Sequence, residues 1–456
     1  MSSRSSLLIR AGQIVQALRQ GALILIALAL PRLGLGLTEI GHWESLLFVG
    51  YILGFGWLTG LLQAYLVRIR LTRPEAARKF SRLALGTIFV VSLLLLGVAA
   101  GAHQWFFDLL RLGETPPGWW WYFLFLLTQW PGLFFEQVLV VEDRPRGLLV
   151  FGTLSALGMI MAILGPLLAG DSLEGALYWL AVCGVVKGIL ILGWTLWDYV
   201  LDKQNKQRAI TVKRHGKLTG AMTGGQDRWR ELLTAWWSAA WPLMIYASLG
   251  AMVTAFDPWF VNYWYEGEED TFALFRYGAR ELPLLAAVTN GMITVVLPQL
   301  TESPTVGLQL LRNSSRRLFH WIFPGTILLL ATTGYWWEPL FTATFAESEP
   351  LFRAYLFVIV SRLLFPVPVL TALGHTRMLM VFGGLELLLN VALSFLLAPA
   401  YGLLGIIWAT VLAYFLDKLL LMYYLYRRTG IRPGHYLDLR WYVGYVAVLM
   451  LVYLFF

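Results

Sequence analysis

The chain of 456 residues is 58% hydrophobic and only 14% charged, with a mean hydropathy of +0.65. A soluble domain carries roughly a quarter charged residues, and a disordered chain needs low hydrophobicity with high charge, so a soluble enzyme and a disordered chain are both excluded. The net charge is +8, from 35 Lys and Arg against 27 Asp and Glu; in a soluble protein this points to nucleic acid, but in an integral membrane protein it points to basic loops, and no nucleic-acid partner is expected.

A membrane-spanning helix needs about 20 mostly apolar residues, whereas an outer-membrane strand alternates over about ten. The long uninterrupted runs here predict helices. Met1 to Arg10 lead into the first run without a cleavage site, so the first span is expected to be uncleaved. Six spans are expected over about 11–31, 43–67, 83–104, 118–140, 147–169 and 174–197. A polar stretch at 198–230 separates them from six more, about 231–256, 271–299, 316–338, 350–373, 377–399 and 402–426, and a last apolar run covers 439–456. The domains read as an N-lobe at 1–197, a basic cytoplasmic linker at 198–230, a C-lobe at 231–426 and an extra C-terminal transmembrane helix at 427–456. Val150-Phe151-Gly152 and Val381-Phe382-Gly383 open the fifth and eleventh spans at an offset of 231 residues. Two copies of six spans share orientation, which makes a parallel repeat.

All but nine of the 35 Lys and Arg fall in the tail, loops and linker on one side, while the opposite loops carry acids such as Glu39, Glu44, Asp171 and Glu174. By the positive-inside rule the N-terminus and the linker face the cytoplasm, and the chain is expected in the cell's inner membrane. The tryptophans at Trp119, Trp120 and Trp121 read as an interfacial belt. The lone cysteine, Cys183, cannot form an intrachain disulfide. There is no Gly-x-x-x-x-Gly-Lys-Ser/Thr loop, His-Glu-x-x-His or Cys-x-x-Cys, so no ATP site of that type, no metal and no cofactor is expected. The outer loops are short for a membrane glycosyltransferase or ligase, which argues against an enzyme and assigns no catalytic residue.

The nine remaining cations are Arg19, Arg32, Arg111, Lys187, Arg276, Arg280, Arg353, Arg362 and Lys418. An ionised group inside a bilayer faces a cavity or a partner. Arg19 either snorkels to the inner surface or lines a cavity. Arg276 and Arg280 are four residues apart on the expected eighth span and so share a helix face. They form either a positive cavity wall, which we favour, or ion pairs with Glu281 or Glu136. Lys187 is a further candidate for that wall, while local pairing or snorkelling is expected of Arg362 and Lys418. Glu136, Glu281 and Glu386 lie within spans, Asp257 near an outer end, and Asn390 one turn from Glu386. Each acid either carries a coupling proton or sodium ion or balances the cavity arginines.

Three stretches carry a resemblance. Asp257-Pro-Trp-Phe-Val-Asn-Tyr-Trp264, Ala273-Leu-Phe-Arg-Tyr-Gly-Ala-Arg280 and Val295-Val-Leu-Pro-Gln-Leu300 resemble the seventh and eighth spans of polysaccharide flippases of the multidrug/oligosaccharidyl-lipid/polysaccharide (MOP) superfamily. Asn390 followed by Pro399-Ala-Tyr-Gly402-Leu-Leu-Gly405-Ile-Ile-Trp-Ala-Thr410 is similar to its eleventh–twelfth span junction. Pro399 and Gly402 suit a tight turn there, and Gly405 a close helix approach. The family often has Tyr at the place of Phe275 and a small residue at that of Arg276. The resemblance implies an all-α polytopic protein with two six-helix lobes around a central cavity, plus one or two extra C-terminal helices. The lobes rock to expose the cavity to each side in turn. Members move lipid-linked oligosaccharides, peptidoglycan precursor or cationic drugs. Cavity cations at Arg276, Arg280, Arg19 and Lys187 suit a pyrophosphate. The expectation is therefore a flippase for a polyprenyl-diphosphate-linked glycan, in contact with membrane lipids and driven by the membrane potential or a proton or sodium gradient. The alternatives are a cation-coupled multidrug-type exporter of the same fold and, from another class, a glycan polymerase or ligase.

Overall fold

The computed structural model describes residues 3–71, 74–215, 229–280 and 299–455, with 289, 292, 293, 296 and 297 between the last two stretches. The described chain is helical. In order the helices are α1 (Ser3–Ala29), α2 (Leu37–Leu71), α3 (Pro74–Gly101), α4 (His103–Leu109), α5 (Trp119–Val141), α6 (Pro145–Leu168), α7 (Leu173–His215), α8 (Trp229–Trp264) and α9 (Glu269–Gly278). Then come α10 (Pro304–Phe341), three short helices α11 (Ser348–Tyr355), α12 (Val358–Arg362) and α13 (Pro366–Ala372), the long α14 (Thr376–Thr429), α15 (Pro433–Tyr436) and α16 (Leu439–Phe455). Among the described residues ten helical segments are long and apolar enough to cross a membrane. One of them, Arg377–Thr429, holds two expected spans, and Leu439–Phe455 is a shorter apolar helix.

The boundaries correct the sequence expectation at three places. First, α2 begins at Leu37, which puts Glu44 inside a helix and fully buried rather than in an outer loop. Second, α7 continues to His215, so the first part of the expected linker is helical. Third, α9 stops at Gly278: the Ala279 N–H closes the last turn on the Phe275 carbonyl, at 2.7 Å, and Arg280 lies beyond it. Most of the remainder of the expected span, 281–299, Glu281 included, lies outside the described residues.

The chain forms two compact units. Unit 1 comprises Met1–Leu33, Ser45–Leu109 and Glu114–Ala251. In it α5 packs on α7 and α3, and α6 packs on α1 and α7. Its apolar centre holds Tyr65, Phe80, Phe134 and Trp236, with Tyr65 and Phe134 ring centroids 4.7 Å apart. The buried indole N–H of Trp236 donates to the Leu61 carbonyl at 3.1 Å, which removes the cost of burying a polar group in an apolar core. Small residues bring α8 close to α2: a Cβ at Gly60 would lie 2.5 Å from the Met244 backbone nitrogen.

Unit 2 comprises Gly34–Glu44, Leu110–Gly113 and Met252–Phe456. Here α10 packs on α16 and α15, α9 on α11, and α14 on α11, α12 and α13. The Tyr442 hydroxyl donates to the Val360 carbonyl at 2.7 Å, and the Trp337 indole to the Phe345 carbonyl at 2.9 Å, both buried. The two arms of α14 meet at Gly402, whose φ of 58° and ψ of −136° fit only glycine comfortably. Across that turn Gly405 lies against the Leu397–Ala398 backbone, with no room for a side chain. The turn puts Asn390 on one arm and Thr410 on the other.

Candidate functional site

Charge is expensive at bilayer depth, so each ionised side chain within the spans must find a partner or a cavity. In unit 1, Arg19 of α1 meets Glu136 of α5 in an ion pair. The Arg19 side chain is 34% exposed and that of Glu136 only 10%. The Lys187 ammonium, on α7, donates to the amide oxygen of Gln129 on α5 and lies 5.4 Å from the centroid of the Phe125 ring. These four polar side chains line a cavity of about 320 Å³ whose other walls are mainly apolar residues of α5, α6 and α7. Glu136 thus partners Arg19 and not Arg276 or Arg280.

In unit 2 the acceptor is Glu44. Its fully buried carboxylate takes Arg276 Nε at 3.1 Å through one oxygen and an Arg280 terminal nitrogen at 2.6 Å through the other. Both arginine side chains remain 30% exposed, and Arg280 lies 5.0 Å from the Tyr277 ring centroid. The expected shared helix face is replaced by a convergence: Arg276 sits in the last turn of α9 and Arg280 past its end, and both reach the same acid. The neighbouring backbone is tight. A Cβ at Gly41, one turn before Glu44, would overlap the Glu269 carbonyl group, and Thr38 donates to Asp270 at 2.7 Å.

Two further constellations involve α14. Glu386 and Asn390, one turn apart on α14, belong to different constellations. Lys418 donates to Glu386 at 3.3 Å and to Asp417 at 2.5 Å. Asn390, fully buried, donates through Nδ2 to Asp257 Oδ1 at 2.7 Å, and Thr410 donates to Asp257 Oδ2 at 2.6 Å. The Asn390 amide oxygen faces the hydroxyls of Thr410, at 3.3 Å, and Ser394, at 3.5 Å. Among the described residues only these neutral groups bond the Asp257 carboxyl. Carboxylate, amide and hydroxyl oxygens are the donor set that a hard cation takes, and a carboxyl bonded only by neutral partners also suits a proton. Arg362, at the end of α12, lies 5.2 Å from the ring centroid of Tyr414 on α14, and Arg353 pairs with Glu349 at 3.6 Å one turn away on the same helix.

Sequence reasoning missed Glu44 as a site residue because, one residue into the span expected over 43–67, it was counted with the acids of the outer loops. It gave Gln129 and Thr410 no polar role, and it placed Asp257 near a span end. The signal available for Asp257 was its place at the head of a stretch with family resemblance.

No family model matches the chain, and no curated protein sequence does. Solved structures do. Lipid II flippase MurJ in its inward closed conformation superposes with a TM-score of 0.62 over 98% of this chain and 97% of that one, at 12% identity. A multidrug resistance MATE family transporter of the MOP superfamily, in an inward-facing conformation, gives 0.57 over 97% and 98% at 14% identity. The fold is that of MOP-superfamily transporters. Within that fold a Vibrio cholerae MATE transporter gives 0.55 over 94% of this chain and 99% of its own, at 17% identity. These likenesses show the fold, and what the chain does with it is left to the charged groups above.

Proposed function

We propose that this MOP-type transporter flips a polyprenyl-diphosphate-linked glycan from the cytoplasmic to the outer face of the inner membrane by alternating access, and that it is not an enzyme. One observation carries this reading: two charged clusters each hold two cations for one acid, Arg19 and Lys187 with Glu136 and Arg276 and Arg280 with Glu44. The surplus in each is positive. An arginine fork matches a phosphate bidentately, and a diphosphate offers charge enough for both arginines of unit 2 once Glu44 releases them. The glycan's lipid tail stays in hydrocarbon while the head crosses. The N-terminus and the stretch 198–230 lie on the cytoplasmic side in this reading, where basic residues face anionic lipid. The lobes 1–197 and 231–426 are the rocking bodies.

Energy enters through an intramembrane acid. Glu136 and Glu386 are engaged by cations in the structure and Glu281 lies outside the described residues, so Asp257 with Asn390 and Thr410 becomes the first candidate for a coupling proton or sodium ion.

The test is flipping of a fluorescent polyprenyl-diphosphate glycan in reconstituted vesicles. Two charge-assisted contacts at about 1.5 kcal/mol each make the Arg276→Ala, Arg280→Ala variant about a hundredfold slower. An unchanged rate in a well-folded double variant overturns the reading.

The Asp257 constellation also supports a cation-coupled multidrug-type exporter of the same fold. Against it stands the positive surplus in both clusters, which repels a cationic cargo. Resistance of cells to cationic dyes that is lost on Asp257→Asn, with no glycan flipping, would establish it.

A further inference from the structure

The cavity of unit 1 has a polar floor and an apolar mouth. At the floor, Arg19 pairs directly with the one acid, Glu136, while the Lys187 ammonium hydrogen-bonds the neutral Gln129 amide beside the Phe125 ring. An ammonium carries three donors and a guanidinium five, and these contacts use one of each. One positive charge therefore lacks an anion at a depth where unbalanced charge is costly.

The space beside it is held open by residues without side chains. A Cβ at Gly132 would come 3.2 Å from Lys187 Cε, tight against the lysine stem, and Gly158 on the α6 wall has nothing within 4 Å of where its Cβ would be. The mouth is formed by Leu154 of α6 and Val186 and Leu190 of α7, which are 58%, 52% and 56% exposed. In spanning helices such apolar surface suits hydrocarbon, and a freely soluble anion entering there would have to leave water for it.

A ligand that satisfies both ends has a negative head and an apolar chain. We propose that this cavity binds the phosphate end of an anionic lipid at Lys187 and Arg19, with its hydrocarbon chain leaving between α6 and α7. The volume of about 320 Å³ is at the small end for ligand cavities and accommodates a phosphate with the first part of a chain, not a glycan. The site is separate from the Arg276 and Arg280 pair and does not depend on which cargo that pair takes.

Cys183 lines the same cavity and is the chain's one cysteine, which makes its thiol a reporter of occupancy. The full chain is placed in phosphatidylcholine nanodiscs, and the rate of Cys183 alkylation by a membrane-permeant maleimide is measured alongside lipid retention in native mass spectrometry. Phosphatidic acid, diacylglycerol of the same chains and inorganic phosphate are compared. Phosphatidic acid is expected to slow alkylation about tenfold at ten times its dissociation constant and to be retained, while diacylglycerol and inorganic phosphate do neither. Lys187→Gln is expected to lose the protection and the retention. Gly158→Leu, which fills the open space, is expected to slow alkylation without added lipid and to abolish retention. The Arg276→Ala, Arg280→Ala variant is expected to keep both readouts, so this site and the cargo reading fail separately. Equal protection by diacylglycerol would reduce the cavity to an apolar crevice, and protection by inorganic phosphate alone would make it a free-anion site; either result overturns the proposal. So does wild-type protein that neither retains phosphatidic acid nor is protected by it, or retention that survives both Lys187→Gln and Gly158→Leu.

Discussion

The two charged clusters have the same stoichiometry and opposite architecture. In unit 2 both cations, Arg276 and Arg280, share one fully buried carboxylate, so the acid is the hub and the arginines are its spokes. In unit 1 the acid is spent on Arg19, and Lys187 stands apart on a neutral amide beside an open cavity. Equal charge counts therefore give different chemistry. The unit 2 cluster is a clasp that must open before its arginines can hold an anion. The unit 1 cluster has a cation already facing space.

The largest effect expected from this contrast is at Glu44. Removing the acid leaves two arginines converging on an empty buried site, so Glu44→Ala should cost about 3–5 kcal/mol of stability. Glu136→Ala removes one such ion pair instead of two and should cost less, about 1–3 kcal/mol. Thermal unfolding in detergent measures both, and a reversed order would break the comparison. Next comes Thr410→Val, which strips one of the two donors from Asp257 and should cost about 1–3 kcal/mol. It should also change the dependence of transport on sodium or proton gradients while leaving Cys183 alkylation as it is. A variant that altered unit 1 instead would tie the two regions together.

Gly402→Ala probes the same constellation through the backbone. A side chain at a φ of 58° costs about 1–2 kcal/mol, and the strain falls between the arms that carry Asn390 and Thr410. Its stability loss should therefore be non-additive with that of Thr410→Val in a double-mutant cycle. The smallest effect expected is from Arg276→Lys with Arg280→Lys. Charge is kept and the planar fork is lost, so stability should hold nearly level while flipping slows about tenfold, equal to about 1.4 kcal/mol. An undiminished rate would show that the pair acts as point charges only.

The turn between the arms of α14 was readable from Pro399, Gly402 and Gly405, because a positive φ and a close backbone approach each demand a residue type. The end of α9 was not. Apolar residues resume soon after Arg280 and Glu281, and hydropathy does not register that Gly278 sits hard against Leu351 with the last turn already closed at Ala279. The same insensitivity shifted the start of α2 and moved Glu44 from a loop into the interior. Nor did four-residue spacing decide partnership. Glu386 and Asn390 are one turn apart yet bond to different groups, Lys418 and Asp257.

By itself the sequence determined the class of molecule: low charge and long apolar runs leave only a helical membrane protein, since every backbone polar group in hydrocarbon must be satisfied within its own segment. It also determined which cations are left within the apolar segments once the basic loops are set aside. The tertiary structure decided which partners the charged groups meet. Arg19 finds Glu136 across 117 residues, Arg276 finds Glu44 across 232 and Asp257 finds Asn390 across 133. Helical periodicity is a local rule, fixing which side chains share a face within a few turns. Pairing between helices distant in sequence is set by how those faces pack, and there the cost of unpaired charge selects the partners.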